Sequence, residues 1–305
     1  SNYLGSTTYD WTVVQTGVTG ASNGSGTFIT QTLNNYTSTP GTATYTITPS
    51  AFGCAGDPVI HTVTVDPVSR VLYVDDLNGD DTNCGNSWAS ALKTVSKALS
   101  LSNLSTNVDS ILVAAGTYYP TGVQNGTNRD SSFVIMDDGL KIYGGYPNGG
   151  GVRDIGANPT ILSGDIGVLG DSLDNCYHVM VIPRTLMSAA DSIVVDGFTI
   201  TKGNANGTGN FIYETNAVPQ PVGGGIYIRE NNDQTTVLRN LTITENTARI
   251  VGGGINILNA NPLIENCEFR NNRAHERGGG ICHEDLSRAA LVDCRFIGNA
   301  ATIHG

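Results

Sequence analysis

The phrase NPLIENCEFRNNRAHERGGGI at 261–281 returns almost at once as LVDCRFIGNAATIHG at 291–305. A chain that restates itself at so short an interval is built from one repeated unit, which narrows its architecture sharply. Aligned, GFTITKGNA (197–205), NLTITENTA (240–248), NCEFRNNRA (266–274) and DCRFIGNAA (293–301) carry apolar residues at two alternate positions. These are Phe198, Leu241, Cys267 and Cys294, then Ile200, Ile243, Phe269 and Phe296, with a polar residue between. That pattern describes one strand with alternate side chains inward. Leu241 and Cys267 are 26 residues apart, Cys267 and Cys294 are 27 apart, and the triple glycines begin at 223, 252 and 278.

A hairpin array would alternate strand direction and has no reason to repeat one phrase once per period. Stacked parallel coils set equivalent residues above each other about 4.8 Å apart, and so require it. Asn246, Asn272 and Asn299 are expected to form a ladder at a corner, where Asn tolerates left-handed backbone and amides bond along the stack. Ala248, Ala274 and Ala301 give a small inward step, and the triple glycines a bend too tight for a Cβ. Residues 70–305 therefore read as a right-handed parallel β-helix, a solenoid expected to continue beyond 305. Its N-terminal capping helix is expected at about 87–102, in NSWASALKTVSKALSL, where Ala91, Leu92, Val95, Ala98 and Leu99 recur at three- and four-residue spacing and Ser87 can cap the start. Residues 1–67 have a different grammar: WTVVQTGV, GTFITQTL, ATYTITPS and PVIHTVTVDP alternate between Gly, Pro and Asn clusters. They predict a small antiparallel β-sandwich, making the whole chain all-β.

Three resemblances bear on this division. TATYTITPSAFGCAGDPVIHTVTVDP resembles the PKD-like, immunoglobulin-type modules of large secreted Bacteroidota proteins, which implies a spacer. LYVDDLNGDDTNCGNSWASALKTVSKAL, ILVAAGTYYPTG, LKIYGGYPNGG, PTILSGDI, NCYHVMVI and VDGFTITKGNA look like successive blocks of secreted bacterial β-helix repeat proteins, in order across 70–205. GGGI at 223, 252 and 278, with FRNN and FIGN, is similar to the GGAI and FxxN repeats of chlamydial polymorphic outer-membrane adhesins, with Gly in place of Ala.

Composition limits the partners. Asp and Glu number 27 against 16 Lys and Arg, a net charge of −11, and no basic run occurs, which argues against nucleic acid and anionic membranes. No stretch approaches the roughly 18 apolar residues of a membrane helix, and the opening SNYLGSTTYDW reads as processed or trimmed. The six cysteines, Cys54, Cys84, Cys176, Cys267, Cys282 and Cys294, show no zinc spacing. Cys267 and Cys294, one coil apart, could pair as a disulfide or stack as buried thiols.

Three loops carry candidate chemistry. In DDLNGDDTN, the side chains of Asp75, Asp76, Asn78, Asp80, Asp81 and Asn83 offer the oxygen density of a calcium site, although an EF-hand pattern counted from Asp76 fails at Asp81. The alternative is a solvated turn; calcium is the one cofactor considered. In SGDIGVLGDSLDNCYH, Asp165, Asp171 and Asp174 beside His178 are the acids an enzyme would use, but Asp in a Gly-rich turn requires no catalytic explanation, and the turn reading is favoured. The polygalacturonase series NTD, GHG and RIK is absent, and the DD pairs at 75–76, 80–81 and 137–138 lack its context. The insertion NGTGNFIYETNAVPQP carries Phe211, Tyr213 and Glu214, an aromatic pair beside a carboxylate that could stack on a sugar; the alternative is that the aromatics pin the loop to its own surface.

The sequence thus leads us to expect a structural or adhesive module of a large secreted protein, at the cell surface or outside it. Its expected partners are a glycan or other surface component, or another subunit or further coils at the C-terminal end. The alternative is a carbohydrate-active enzyme, a polysaccharide lyase or hydrolase, with its site on the β-helix flank.

Overall fold

The computed structural model describes residues 7–37, 39–67, 70–104, 107–121, 128–136, 139–183, 192–213, 216–229 and 236–303. The chain divides into two compact units, Ser1–Ser69 with Leu104–Asn107, and Arg70–Asn103 with Val108–Gly305.

In the first unit, Thr8–Thr16 pairs antiparallel with Gly41–Ala51, which pairs in turn with Val59–Val65 and Cys54–Ala55, while Gly24–Gly26 flanks the first strand. Trp11, Val18, Ala43 and Tyr45 form its core. Among the described residues, one five-stranded sheet stands where a sandwich is expected. GTFITQTL does not continue as a strand; instead Ala21, Ile29 and Leu33 pack on the core from irregular chain. The Gly, Ser and Asn cluster before it and NNYTSTPG after it supply turn chemistry in place of a ladder partner. Tyr45 Oη donates to Gln31 Oε1, so a side chain tethers this segment.

The second unit is built of parallel strands in four sheets. The first runs Val71–Val74, Ser110–Ala114, Lys141–Tyr146, Val194–Asp196, Val237–Arg239, Leu263–Glu265 and Ala290–Val292. The second begins at Gly116–Tyr118 and ends at Arg295–Ile297; the third runs from Phe133–Val134 to Ile281–Glu284; the fourth from Asn204–Ala205 to Ala300–Ala301. Register follows the repeat. Ile200, Ile243, Phe269 and Phe296 are direct partners across the second sheet, and Ala205, Ala248, Ala274 and Ala301 across the fourth. Each column buries like on like until the last strands, where Leu291 and Phe296 are about half exposed. Phe296 stacks face to face on Phe269, 4.8 Å between centroids.

The asparagine ladder forms as expected. Asn246, Asn272 and Asn299 each donate through Nδ2 to the carbonyl one rung back, at Ile200, Ile243 and Phe269. Asn246 Nδ2 also reaches Asn272 Oδ1 at 3.1 Å, and Asn272 Nδ2 reaches Asn299 Oδ1 at 2.9 Å. The left-handed residue, however, is the one before each Asn: Glu245, Asn271 and Gly298, with Lys202 equivalent a rung earlier, at φ 56°, 53°, 63° and 66°. A second left-handed column precedes the second sheet at Gly197, Asn240, Asn266 and Asp293. In the triple glycines the first takes positive φ, and the second lies so close to the next rung that a Cβ on Gly253 would stand 2.3 Å from the Arg273 carbonyl oxygen.

Helix α1 spans Val95–Leu104 and buries Val95, Ala98, Leu99 and Ser102. It is shorter than the 87–102 expected. Ser87 makes no side-chain cap bond, Trp88–Ser90 is a single 3₁₀ turn, and Ala91 is extended. Leu92 then pairs with the edge of Val71–Val74: its N–H donates to Tyr73 O and its carbonyl accepts from Asp75 N–H. The helix is capped by Thr94, whose Oγ1 accepts from the Lys97 N–H.

Candidate functional site

The loop at 75–83 divides its oxygens among separate tasks. Asp75 is fully buried and its carboxylate accepts from the N–H groups of Leu77, Asn78 and Gly149 and from the amides of Asn78 and Asn148. Burial alone would push its carboxyl up, but these donors hold it below the usual value. Asp80 takes the N–H and hydroxyl of Thr82, which lower its carboxyl too. Asp81 takes the N–H groups of Lys93 and Thr94 and the Thr94 hydroxyl, bracing the start of α1. Asn78 and Asn83 donate to Asp75 and to the Ala91 carbonyl. Asp76 contributes its N–H, which donates to Tyr118 Oη. Among the described residues no three His, Cys, Asp or Glu side chains gather to hold a metal. Of the calcium candidates Asp75, Asp76, Asn78, Asp80 and Asp81, the carboxylates of Asp75, Asp80 and Asp81 are met by donors of the protein itself, whereas that of Asp76 accepts no hydrogen bond among the described residues.

The loop at 165–174 is likewise tied to itself. Asp165 accepts from Gly170 N–H, Asp171 from Leu173 N–H, and Asp174 Oδ2 from Val168 N–H at 2.7 Å; Asp174 Oδ1 is buried without a partner. His178 is fully buried, with Nδ1 2.9 Å from the Gly223 carbonyl oxygen, and burial pushes its pKa down to about 4. It is a neutral core side chain rather than a partner for these acids.

The insertion folds as a hairpin of Asn210–Tyr213 and Asn216–Pro219. Phe211 is corrected from a sugar-stacking candidate to a core residue: it is 2% exposed and packs with Val218, Val222, Tyr227 and His178. An aromatic at the hairpin's base gains more from burying its face in the adjoining sheet than from presenting it to water. Tyr213 packs half-buried against the same cluster, and Glu214 lies outside the described residues. All six cysteines are free. Cys267 and Cys294 each donate Sγ–H to carbonyl oxygens, of Leu238 and Glu265 and of Ile264 and Val292, which is the thiol alternative.

One polar cluster had no signal in the sequence. Asp196, 3% exposed, is held by Arg153 at 2.8 Å, Arg239 at 2.9 Å and Asn240 Nδ2 at 2.8 Å. Burial would raise its carboxyl, but the hydrogen bond from Arg153 and then that from Asn240 hold it low. Its partners lie 43 or 44 residues away in sequence, one rung in space. The described residues contain no helix long and apolar enough to cross a membrane.

Two segments match known families. Residues 2–69 match the PKD-like domain, and residues 188–304 match the right-handed beta helix region. No curated protein and no solved structure gives a significant match. The chain therefore carries a PKD-like domain followed by a right-handed β-helix region.

Proposed function

We propose that this chain is a structural module of a large secreted or cell-surface protein, in which the PKD-like domain serves as a spacer and the β-helix as a rigid scaffold for contact with glycans or other surface components. The stacked coils form a closed solenoid, and α1 with the Leu92 segment covers its first coil. One observation carries this reading: the acids of the 75–83 and 165–174 loops accept hydrogen bonds from their own loops and the adjoining scaffold. Side chains committed in this way make a stiff surface and leave few free carboxylates for acid and base work. The adhesin-like GGGI repeats favour the same conclusion.

The test has two arms. Protease added to intact cells that make the full protein should degrade it, and the purified chain should leave pectin, alginate and glycosaminoglycans without new reducing or unsaturated ends. Protection of the protein inside intact cells would overturn the location. Turnover of any of these polymers, lost on changing Asp165→Asn or Asp174→Asn, would install the carbohydrate-active enzyme in its place.

A further inference from the structure

On the outer face of the first sheet, Tyr73, Leu112 and Tyr143 are direct register partners on three successive strands. Two more aromatic residues join them. Trp88 meets Tyr73 edge to face at 5.0 Å between centroids and Tyr146 at 5.4 Å. All four rings are partly exposed. They are also held in place. The guanidinium of Arg153 lies 5.3 Å over the Tyr143 ring while bonding the Gly144 carbonyl and Asp196. Gly150 lets its loop close on Trp88, since a Cβ there would fall 2.3 Å from the indole.

Among the described residues, the hydroxyls of Tyr73, Tyr143 and Tyr146 and the Trp88 N–H have no hydrogen-bond partner. Desolvation raises the Tyr146 phenol, so it stays a neutral donor; Arg153 acts against this, and Tyr143, Tyr73 and Asp196 are near enough to add to it. Four amphipathic rings with unused polar rims suit a ligand having an apolar face and a rim of hydroxyls, as a pyranose does. The two arginines nearest the rings, Arg153 and Arg239, both pair with Asp196, and Lys141, two residues before Tyr143, is the one lysine of that strand. A polyanion would meet the repulsive field of a chain with net charge −11.

We infer that Tyr73, Trp88, Tyr143 and Tyr146 form a binding platform for an uncharged glycan. The inference rests on the surface-contact reading above, and it moves the contact from the 206–221 insertion to the first sheet. The full chain is titrated calorimetrically with cellohexaose, xylohexaose and mannohexaose, with polygalacturonate as the charged comparison. At least one neutral hexaose should bind. Trp88→Ala should weaken it by about tenfold, and Tyr143→Phe and Tyr146→Phe each by about threefold with unchanged melting temperature, because only a rim hydroxyl is lost. Tyr213→Ala should bind normally. No binding by any neutral hexaose at millimolar concentration, binding of polygalacturonate alone, or affinity indifferent to all three variants would each discard the platform. Those outcomes leave the module reading standing, because its location and inertness are judged by protease treatment of cells and by polymer turnover.

Discussion

His178 shows how a single side chain sets a pH limit on the whole domain. Its ring lies 5.8 Å from that of Phe211 and 5.9 Å from that of Tyr227, fully buried, and its pKa falls from 6.5 to about 4. The unfolded chain therefore binds a proton that the folded chain refuses. Stability is fully present above about pH 6.5 and declines as pH falls toward 4, by up to an order of 3 kcal/mol. Urea unfolding of His178→Phe should lose the slope between pH 6.5 and 4 that the parent chain shows; identical slopes would refute the assignment. Asp196 acts in a lower window. Its carboxyl is held below 3.8, so its contribution is present above that value and is lost as pH falls further. The two groups are thus separable by titration range. Neither role could be read from the sequence, because burial of His178 depends on a hairpin more than thirty residues later and the partners of Asp196 lie on other rungs.

At the scale of elements, the 75–83 loop is an internal brace. Asp75 binds it to Gly149 and Asn148, and Asp81 binds it to the start of α1. Melting temperatures in EDTA and in millimolar calcium should therefore agree, whereas Asp81→Ala, which strips three acceptor contacts, should cost about 2 kcal/mol. A rise of several degrees in calcium, abolished by Asp80→Asn with Asp81→Asn, would return the loop to metal binding. The repeats at 240–301 disclosed their strands, inward columns and asparagine ladder, because each is a local pattern copied at a fixed period. The cap of α1 was misplaced from Thr94 to Ser87, because Leu92 was drawn into the ladder of a strand that helical spacing alone does not reveal. The left-handed corners were misassigned by one residue, since Glu245 and Lys202 are not residues that advertise positive φ. Phe211 takes the pinning role of its two readings, and which surface it pins to is not legible because a loop's sequence does not say what lies beneath it.

At the scale of the whole molecule, the first unit has its own core of Trp11, Val18, Ala43 and Tyr45, whereas in the second each strand meets its equivalents on neighbouring rungs. The rung containing Ile264 and Phe269 is covered on both sides, by Leu238 and Ile243 and by Leu291 and Phe296. Among the described residues, the rung of Leu291 and Phe296 has strand partners on one side, and these side chains are partly exposed. In the 305-residue chain taken alone, hydrogen exchange should accordingly rank amides at 263–270 as more protected than those at 290–297 by at least about tenfold. Equal protection would show that the stack opens only as a unit. The two left-handed columns have a consequence for heredity. They recur at 26 or 27 residues, or at 43 where the hairpin is inserted, and mark the same two corners of four successive turns, so they act as a reading frame for three dimensions. The hairpin at Asn210–Pro219 enters between Ala205 and Ile226 without moving either column. An in-frame duplication of one period would likewise add a turn that meets, above and below, surfaces like those its parent met. In such a scaffold, length can change by copying while every existing turn keeps its shape.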